Sequence, residues 1–370
     1  MLPVMLPNIL IQFGRSRLRI FLILSLILAG CGKAPSSGHA PDVQSLPSLQ
    51  AEIEQARAAM SPVALEYIEA ALDTIQALHP IGPNYDWEEW HLAALERAQG
   101  SSTYADTYRS LGQALTELPG GHSSFRKPPT DAVAPPGITR KSRQGLNYDL
   151  GIERVGGDIG LIKLPGFLSQ DTAAGDSFAV AVQRSIRQVD ADATCGWVVD
   201  IRHNGGGNMW PMLAGLGPIL GEGHIGSVAL RDDITQPWHY EKGQARLDTL
   251  VLATVKDPYV LKQPGSPVAV LISEHTGSSG EAVAVAFKGR PQTTFFGSST
   301  AGATSSPTRV QLRDGAEIGF AGSFLADRNG RIYRGPIEPD VRVEREKEPD
   351  QGKEAALQWL LKQPTCRKLR

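Results

Sequence analysis

Cysteine is scarce in this chain, and its three cysteines form no Cys-x-x-Cys or Cys/His pattern of the kind that binds zinc. Charge of one sign is also lacking, since the formal net charge is −2. The three arginines of residues 1–30 face no acid in that range, so the remainder is more acidic still and has no electrostatic reason to bind nucleic acid. We therefore expect no metal, no organic cofactor and no nucleic-acid partner.

A long apolar run is missing as well. The longest, Ile20–Leu28, is too short for the roughly 20 residues of a membrane span. In other respects the composition of the 370 residues is that of a globular protein, with 41% hydrophobic and 21% charged residues. The length allows two modest domains, or one large domain with an appendage.

The N-terminus has the pattern of an export signal. Arginines precede the apolar run, which ends in Leu28-Ala29-Gly30-Cys31 and resembles the bacterial lipobox. We predict a lipoprotein signal peptide over 1–30, a lipidated Cys31 and a flexible tether over 31–47. The protein would then be anchored in the bacterial cell envelope, on the periplasmic face or the cell surface, with the leaflet undetermined. The alternative is a plain signal peptide, or an uncleaved helix, that happens to end in cysteine.

Residues 48–127 are predicted to form a helical N-terminal cap. Ser61 can cap a helix and Pro62 suits its first position. Apolar residues then recur at helical spacing, at Ile68, Leu72 and Ile75. A proline-rich stretch over 128–145 is predicted to be a linker.

Residues 146–345 alternate short apolar runs with helical patterns, which predicts an α/β core. Predicted strands cover 159–164, 197–201, 268–272 and 293–296, with helices near 178–189, 211–220 and 278–287. A β-rich insertion is predicted around 225–253. Residues 346–370 are predicted to be a C-terminal helix and basic tail.

Two turns of the core could carry chemistry. Ser278 lies where a buried strand ends and a helix begins, so its hydroxyl is exposed beside unpaired helical N–H groups that can stabilise an oxyanion. The simpler interpretation is that Ser278 or Ser279 only caps the helix. The second turn, residues 200–207, ends in three glycines that allow the backbone to approach a ligand closely, although it could equally be a tight loop.

A serine nucleophile needs a base. Of the eight histidines, His122 stands out because it follows Pro119-Gly120-Gly121, a turn that ends the last cap helix. A side chain on such a turn can project toward a neighbouring domain.

Six motifs in order resemble the superfamily of tail-specific (C-terminal processing) proteases, the tricorn protease core and the interphotoreceptor retinoid-binding protein repeats. The resemblance covers roughly residues 50 to 343. The motifs are Gly-His-Ser at 121–123, Ile-Gly-Leu-Ile-Lys-Leu-Pro-Gly-Phe at 159–167, Asp-Ile-Arg-His-Asn-Gly-Gly-Gly at 200–207, Thr-Gly-Ser-Ser-Gly-Glu at 276–281, Phe-Gly-Ser-Ser-Thr-Ala-Gly at 296–302, and Ile-Glu-Pro-Asp at 337–340.

The resemblance implies a crotonase-like (ClpP/crotonase-type) ββα core and a serine peptidase. It implies that Ser278 is the nucleophile and that the backbone N–H groups of Gly206 and Ser279 form the oxyanion site. Classical members activate the serine with a lysine, but Ala303 stands in that block. Lys288 is about ten residues along the helix, or ~15 Å, and cannot reach the hydroxyl. The tricorn-like branch uses the early histidine, which implies that His122 is the base.

The group that orients the histidine remains open, whereas the sequence argues against a targeting domain. An acid or hydroxyl should orient the histidine; the resemblance makes Glu338 the first candidate, with Asp340, Glu281 and Glu274 as alternatives. A targeting PDZ domain is not expected, because only about 25 residues separate Phe125 from the next strand.

A disulfide between Cys195 and Cys366 is not expected, because it would require the C-terminal tail to fold back onto the core. The sequence thus predicts a membrane-anchored serine endopeptidase that acts on peptides or proteins through an acyl-enzyme, with its oligomeric state undetermined. The alternative is a non-catalytic module that binds an apolar ligand or a peptide on the same scaffold.

Overall fold

The computed structural model describes residues 48–83, 85–129, 150–190, 194–230, 234–343 and 350–367. The predicted signal peptide, Cys31, the tether and most of the predicted linker lie outside these ranges. Residues Pro47–Arg370 form one compact unit. Within the described residues no helix is long and apolar enough to cross a membrane.

The helices and strands follow the predicted order closely. The helices are α1 Leu49–Ala58, α2 Pro62–Leu78, α3 Trp87–Arg97, α4 Tyr104–Glu117, α5 Thr172–Val189, α6 Met209–Leu220, α7 Ser279–Phe287, α8 Gln351–Leu361 and α9 Pro364–Arg367. The strands are β1 Ser124–Arg126, β2 Gly151–Val155, β3 Ile159–Lys163, β4 Gly196–Asp200, β5 Gly223–Ala229, β6 Thr235–Glu241, β7 Gln244–Leu247, β8 Leu250–Thr254, β9 Val268–Ile272, β10 Thr293–Gly297, β11 Ser305–Gln311, β12 Glu317–Ala326, β13 Ile332–Tyr333 and β14 Val341–Arg342.

A six-stranded sheet of order β14-β10-β9-β4-β3-β2 forms the centre of the core. Its strands from β14 to β3 are parallel, and β2 is antiparallel to β3. On β9, Val268 and Val270 pack on the side that holds α5, α6 and α7, whereas Ala269 and Leu271 pack on the side of α8. Both faces are covered, which explains why these strands read as continuous apolar runs.

The second sheet has eight strands, in the order β1-β12-β5-β6-β7-β8 with β11 and β13 also paired to β12. The β-rich insertion predicted around 225–253 supplies β5 to β8 of this sheet. The α/β class is confirmed, and the crotonase type stays a prediction.

The helical cap packs on this second sheet. Helix α2 begins as predicted, with the Ser61 hydroxyl accepting from Ala64 N and Pro62 in the first turn. Its buried face shares a core with Ile318 and Phe320 of β12. Burying an apolar side chain of this size contributes roughly 1.5–3 kcal/mol to the free energy of unfolding. Core packing therefore holds the cap to the sheet.

The C-terminal tail corrects one prediction. Cys195 and Cys366 form a disulfide, with their Cα atoms 4.9 Å apart. Helix α8 folds back over the six-stranded sheet, burying Ala356 and Leu360, and this return brings Cys366 beside the start of β4. The prediction that this disulfide is absent is wrong, because the apolar face of α8 is buried against the sheet and carries the tail back to the core.

Candidate active site

The site lies at the carboxyl ends of three neighbouring parallel strands. The turn after β4 carries Gly206, the turn after β9 carries Ser278, and the loop after β10 carries Ala303. In parallel sheets this edge is where loops from separate strands converge. The cap adds a fourth element, the turn between α4 and β1 that carries His122.

Ser278 and His122 are in hydrogen-bond contact, with His122 Nε2 3.0 Å from Ser278 Oγ. The two residues are 156 positions apart in sequence. Both are partly buried, so the contact is sheltered but open to a substrate. The structure therefore brings together the two side chains that the sequence singled out.

Ser278 occupies a strained position at the start of α7. Its φ is 53° and its ψ is −119°, a region that residues with a side chain rarely adopt. A hydrogen bond within the same turn stabilises this backbone conformation: Glu281 Oε2 accepts from Ser278 N at 2.9 Å. The other carboxylate oxygen of Glu281 accepts from the Thr300 hydroxyl and from Gly302 N.

Glu281 is fully buried and joins two loops of the site. Burial raises the pKa of its carboxyl, and the hydrogen bonds from Thr300, Gly302, Ser278 and Ala303 oppose that rise. One of the four acids considered as the histidine's partner thus has a different place: it fixes the serine turn to the loop after β10.

The turn that carries His122 depends on glycine. Gly120 has a φ of +100°, and a Cβ there would come within 2.6 Å of the Phe324 ring. Gly121 has a φ of +67°, and a Cβ there would lie 3.0 Å from Ala303 Cα. His122 itself has a φ of 59°. The histidine turn therefore lies against Ala303, the position at which classical members carry a lysine.

The second ring nitrogen of His122 contacts a serine that the sequence did not single out. His122 Nδ1 is 3.0 Å from Ser305 Oγ, at the start of β11. Burial lowers the pKa of His122. Ser305 was missed because a serine inside a strand pattern carries no local signal, and only the fold places it beside the ring.

Glu338 does not occupy the predicted position. Its carboxylate accepts hydrogen bonds from the Ser299 hydroxyl and pairs with Arg342 at 2.6 Å. Because both ring nitrogens of His122 contact serine hydroxyls, the expectation that Glu338 orients the ring is wrong for this structure.

The other two acids are also engaged elsewhere. Asp340 accepts from Phe295 N at 2.8 Å, and Glu274 accepts from the Ser298 hydroxyl at 2.8 Å. The two ring nitrogens of His122 contact Ser305 and Ser278 instead.

Gly206 lies against the serine as expected. A Cβ at this position would be 2.9 Å from Ser278 Cβ and 3.0 Å from Ser279 N, so only glycine fits. Its own N–H, however, donates to Asn204 Oδ1 at 3.1 Å. Ser279 N stands at the first position of α7, where helical N–H groups have no intrahelical partner. The structure thus adds Asn204 as a competitor for the Gly206 N–H.

The rest of the turn after β4 is fixed by an ion network. Arg202 is buried and pairs with Asp200 at 2.7 Å and with Asp350 at 2.8 Å. Burial would lower the pKa of Arg202, but the hydrogen bonds to both carboxylates raise it above the ordinary value. Asp350 caps α8, so the C-terminal helix supports the glycine turn.

A cavity of about 270 Å³ lies beside this turn. Its lining includes Arg202, His203, His275 and Phe296. It contains neither Ser278 nor His122. Across the described ranges, no three His, Cys, Asp or Glu residues are grouped closely enough to hold a metal ion.

The sequence profile of Peptidase family S41 matches residues 158–343, half of the chain. The chain belongs to peptidase family S41. It is a serine peptidase, and the resemblance drawn from the six motifs is confirmed. The matched range includes Ser278 and Ser305 but not His122, which the cap contributes.

Relatives extend the similarity over the cap. The chain is 28% identical over 303 residues to the nisin-resistance protein of Lactococcus lactis subsp. lactis, covering 82% of this chain and 88% of that protein. A solved lipoprotein from Streptococcus agalactiae is 21% identical with a TM-score of 0.55, covering 81% of this chain and 96% of the other. A solved protein from Parabacteroides merdae is 20% identical with a TM-score of 0.56, covering 80% and 96%. The two solved structures establish a shared fold.

Proposed function

We propose that this protein is a lipid-anchored serine endopeptidase of the bacterial cell envelope that cleaves peptide bonds through an acyl-enzyme, with Ser278 as nucleophile and His122 as general base. The observation that carries the proposal is the 3.0 Å contact between His122 Nε2 and Ser278 Oγ. This separation is within the range needed for direct proton transfer.

The geometry supports the following reaction. Ser278 Oγ attacks the carbonyl carbon of the scissile bond while its proton passes to His122 Nε2. The oxygen of the carbonyl becomes negative, and the N–H of Ser279 stabilises it at the start of α7. His122 then gives the proton to the leaving amine, and a water molecule hydrolyses the acyl-enzyme by the same route.

The Gly206 N–H is the second proposed donor to the oxyanion. It can take that role only by giving up or sharing its bond to Asn204 Oδ1. The backbone position supports the proposal, because Gly206 lies directly against Ser278 and Ser279.

Three observations support a location outside the cytoplasm. The Leu28-Ala29-Gly30-Cys31 sequence resembles a lipobox, and a solved structure of the same fold is described as a lipoprotein. The Cys195–Cys366 disulfide is an independent argument, because disulfides persist in oxidising compartments and are rare in the cytosol. Mass spectrometry of the mature N-terminus should find lipid on Cys31; an unmodified Cys31 would overturn the anchor.

The substrate class follows from the family, and a peptide exposed outside the cell fits the location. The relative from Lactococcus lactis is named for resistance to nisin, so nisin is the first peptide to assay. A different natural peptide is compatible with the same active site.

The catalytic test is labelling with a fluorophosphonate probe together with cleavage of a peptide library. Ser278→Ala and His122→Ala should abolish labelling and reduce cleavage by ~10⁴-fold or more. His275→Ala is the matched control, since His275 is exposed on the loop before Ser278, and it should behave as the wild type. If the wild-type protein does not label, the non-catalytic binding module becomes the better interpretation.

A further inference from the structure

Ser305 contacts Nδ1 of the His122 ring. The other contacts of its hydroxyl determine the direction of that hydrogen bond. It lies at the first position of β11 and is only 5% exposed. Its Oγ is 2.7 Å from Gly120 O and 3.0 Å from His122 Nδ1. One hydroxyl thus contacts both the backbone and the ring of the histidine turn.

The hydroxyl has only one proton to donate. A backbone carbonyl can only accept, so the Ser305 proton is directed at Gly120 O. Toward His122, Ser305 Oγ must then act as an acceptor, which requires a proton on Nδ1. A neutral imidazole with its proton on Nδ1 has a lone pair on Nε2, the nitrogen that faces Ser278.

We propose that Ser305 is a positioning residue that holds His122 in the tautomer able to accept the Ser278 proton. The inference rests on the proposed roles of Ser278 and His122. A neutral hydroxyl thus takes the place beside the histidine at which an acid was expected.

The fold explains why the hydroxyl comes from a distant strand. A side chain at Gly121, directly before the histidine, would be strained, because its Cβ would lie 3.0 Å from Ala303 Cα at a φ of +67°. Ser305 instead pairs with Phe324 in the β11–β12 register, and the preceding Thr304 is fixed by its hydroxyl to Tyr333 O and Gly335 O. The position of Ser305 is therefore set by the second sheet.

The first experiment reads the tautomer without using activity. In protein labelled with ¹⁵N-histidine, long-range ¹H–¹⁵N spectra distinguish a protonated Nδ1 from a protonated Nε2, and the His122→Asn spectrum assigns the signals. Wild-type protein should show the proton on Nδ1 at neutral pH, and Ser305→Ala should shift population to Nε2. A proton on Nε2 in the wild type would overturn the inference even if Ser278 reacts with the probe.

The second experiment measures kinetics in a matched set of variants. Ser305→Ala should lower kcat about 10- to 100-fold with KM unchanged, the range expected for one hydrogen bond at a buried site. Ser305→Thr keeps the hydroxyl and should restore most of kcat. Ser306→Ala, the exposed neighbour on the same strand, should match the wild type. Equal losses in Ser305→Ala and Ser305→Thr, with unchanged melting temperatures, would contradict a role for the hydroxyl.

The pH profile separates positioning from a general loss of folded protein. The protonated ring needs an acceptor at Nδ1, whereas the neutral ring can carry its proton on Nε2. Ser305→Ala therefore destabilises the protonated form more and lowers the pKa of His122. The acid limb of kcat/KM should shift to lower pH. Two charged groups on surrounding elements, Glu281 on α7 and Arg334 over the Phe324 ring, are the same in both proteins. A lower plateau with an unmoved limb would count against the inference. If Ser278 fails to react with the probe while His122 carries its proton on Nδ1, the proposed peptidase site fails and the tautomer assignment stands.

Discussion

Ser278 is held mainly by residues close to it in sequence, whereas His122 is held by residues far from it. The serine turn is fixed by Glu281, three positions along the same helix. The histidine turn is fixed by Ser305 and by packing against Ala303 and Phe324, all more than 180 positions away. One side of the site is thus assembled locally, and the other depends on the docking of the cap to the second sheet.

The difference predicts that the two sides fail in different ways. Damage to the serine side should act at the turn itself. Damage to the cap interface should loosen the histidine while leaving the serine in place.

Among changes outside Ser278 and His122, the largest effect is expected from Glu281→Ala, which breaks the serine side. It removes the acceptor of Ser278 N, Gly302 N and the Thr300 hydroxyl. Leaving several buried donors unpaired should cost about 3 kcal/mol or more in the free energy of unfolding, and kcat should fall at least ~100-fold. Urea unfolding and peptide cleavage measure the two effects. Glu274→Ala, at an exposed acid on the turn between β9 and α7, is the control; near-wild-type activity of Glu281→Ala would refute the local clamp.

A comparable loss of stability, with a smaller effect on kcat, is expected on breaking the Cys195–Cys366 disulfide, a support of the serine side that is distant in sequence. The bond closes a segment of 171 residues, and removing such a link costs about 2–5 kcal/mol. The double variant Cys195→Ser/Cys366→Ser should melt several degrees lower, while Cys31→Ser should not. Because α8 reaches Arg202 through Asp350, kcat should fall near the melting range and stay close to wild type well below it. Equal melting temperatures would show that α8 packs without the link.

The histidine side is best challenged at Asp314, on the turn between β11 and β12. Its carboxylate accepts from the Tyr67 and Tyr108 hydroxyls of the cap. Burial would raise the pKa of Asp314, but hydrogen bonds, with that from Tyr108 the strongest, lower it. Asp314→Asn should cost about 1–2 kcal/mol at neutral pH and lower kcat/KM less than about tenfold.

The pH dependence of this loss has a definite sign. Because the folded pKa of Asp314 is depressed, its stabilisation is present above the pKa of an unfolded aspartate, ~3.9, and disappears as the pH falls through the folded value. Urea unfolding of wild type and Asp314→Asn should therefore converge in acid. Asp257→Asn, at an exposed acid, is the control, and a difference that persists in acid would argue against the charge as its source.

The smallest expected effect is a shift in the pH profile of the wild type. Burial lowers the pKa of His122, so the acid limb of kcat/KM should have its midpoint below the ordinary value of ~6.5. More of the ring is then in the basic form at mildly acidic pH. Initial rates at low substrate concentration between pH 4 and 8 measure the limb. A midpoint above 6.5 would indicate a nearby anion and would restore an acid as the partner of His122.

Much of the architecture could be predicted from the sequence, because its signals are local. Short continuous runs of apolar residues predicted the buried parallel strands, and Ser61-Pro62 indicated the start of α2. Ser278 could be found because a strand, a serine and a helix start follow one another within a few residues. His122 was found through the glycines that end α4.

The misses concern the partner that a particular side chain or backbone group finds, whether that partner is near in sequence or distant. Glu338 was chosen because it is an acid in a motif near the end of the core, yet its carboxylate pairs with Arg342. Neither the Cys195–Cys366 disulfide nor the hydrogen bond from Gly206 N to Asn204 Oδ1 was predicted. The predictions relied on residue type, whereas the observed partners depend on which side chains the fold brings close together.

The sequence by itself determined the order of the elements, the family and the two side chains proposed to react, since short-range periodicity, glycine positions and motif order are properties of neighbouring residues. Only the tertiary structure decided which group contacts Nδ1 of His122. That choice depends on the register of β11 against β12 and on the docking of the cap. A serine that carries no local signal therefore became the partner of His122 Nδ1, because packing places its hydroxyl between the ring and Gly120 O.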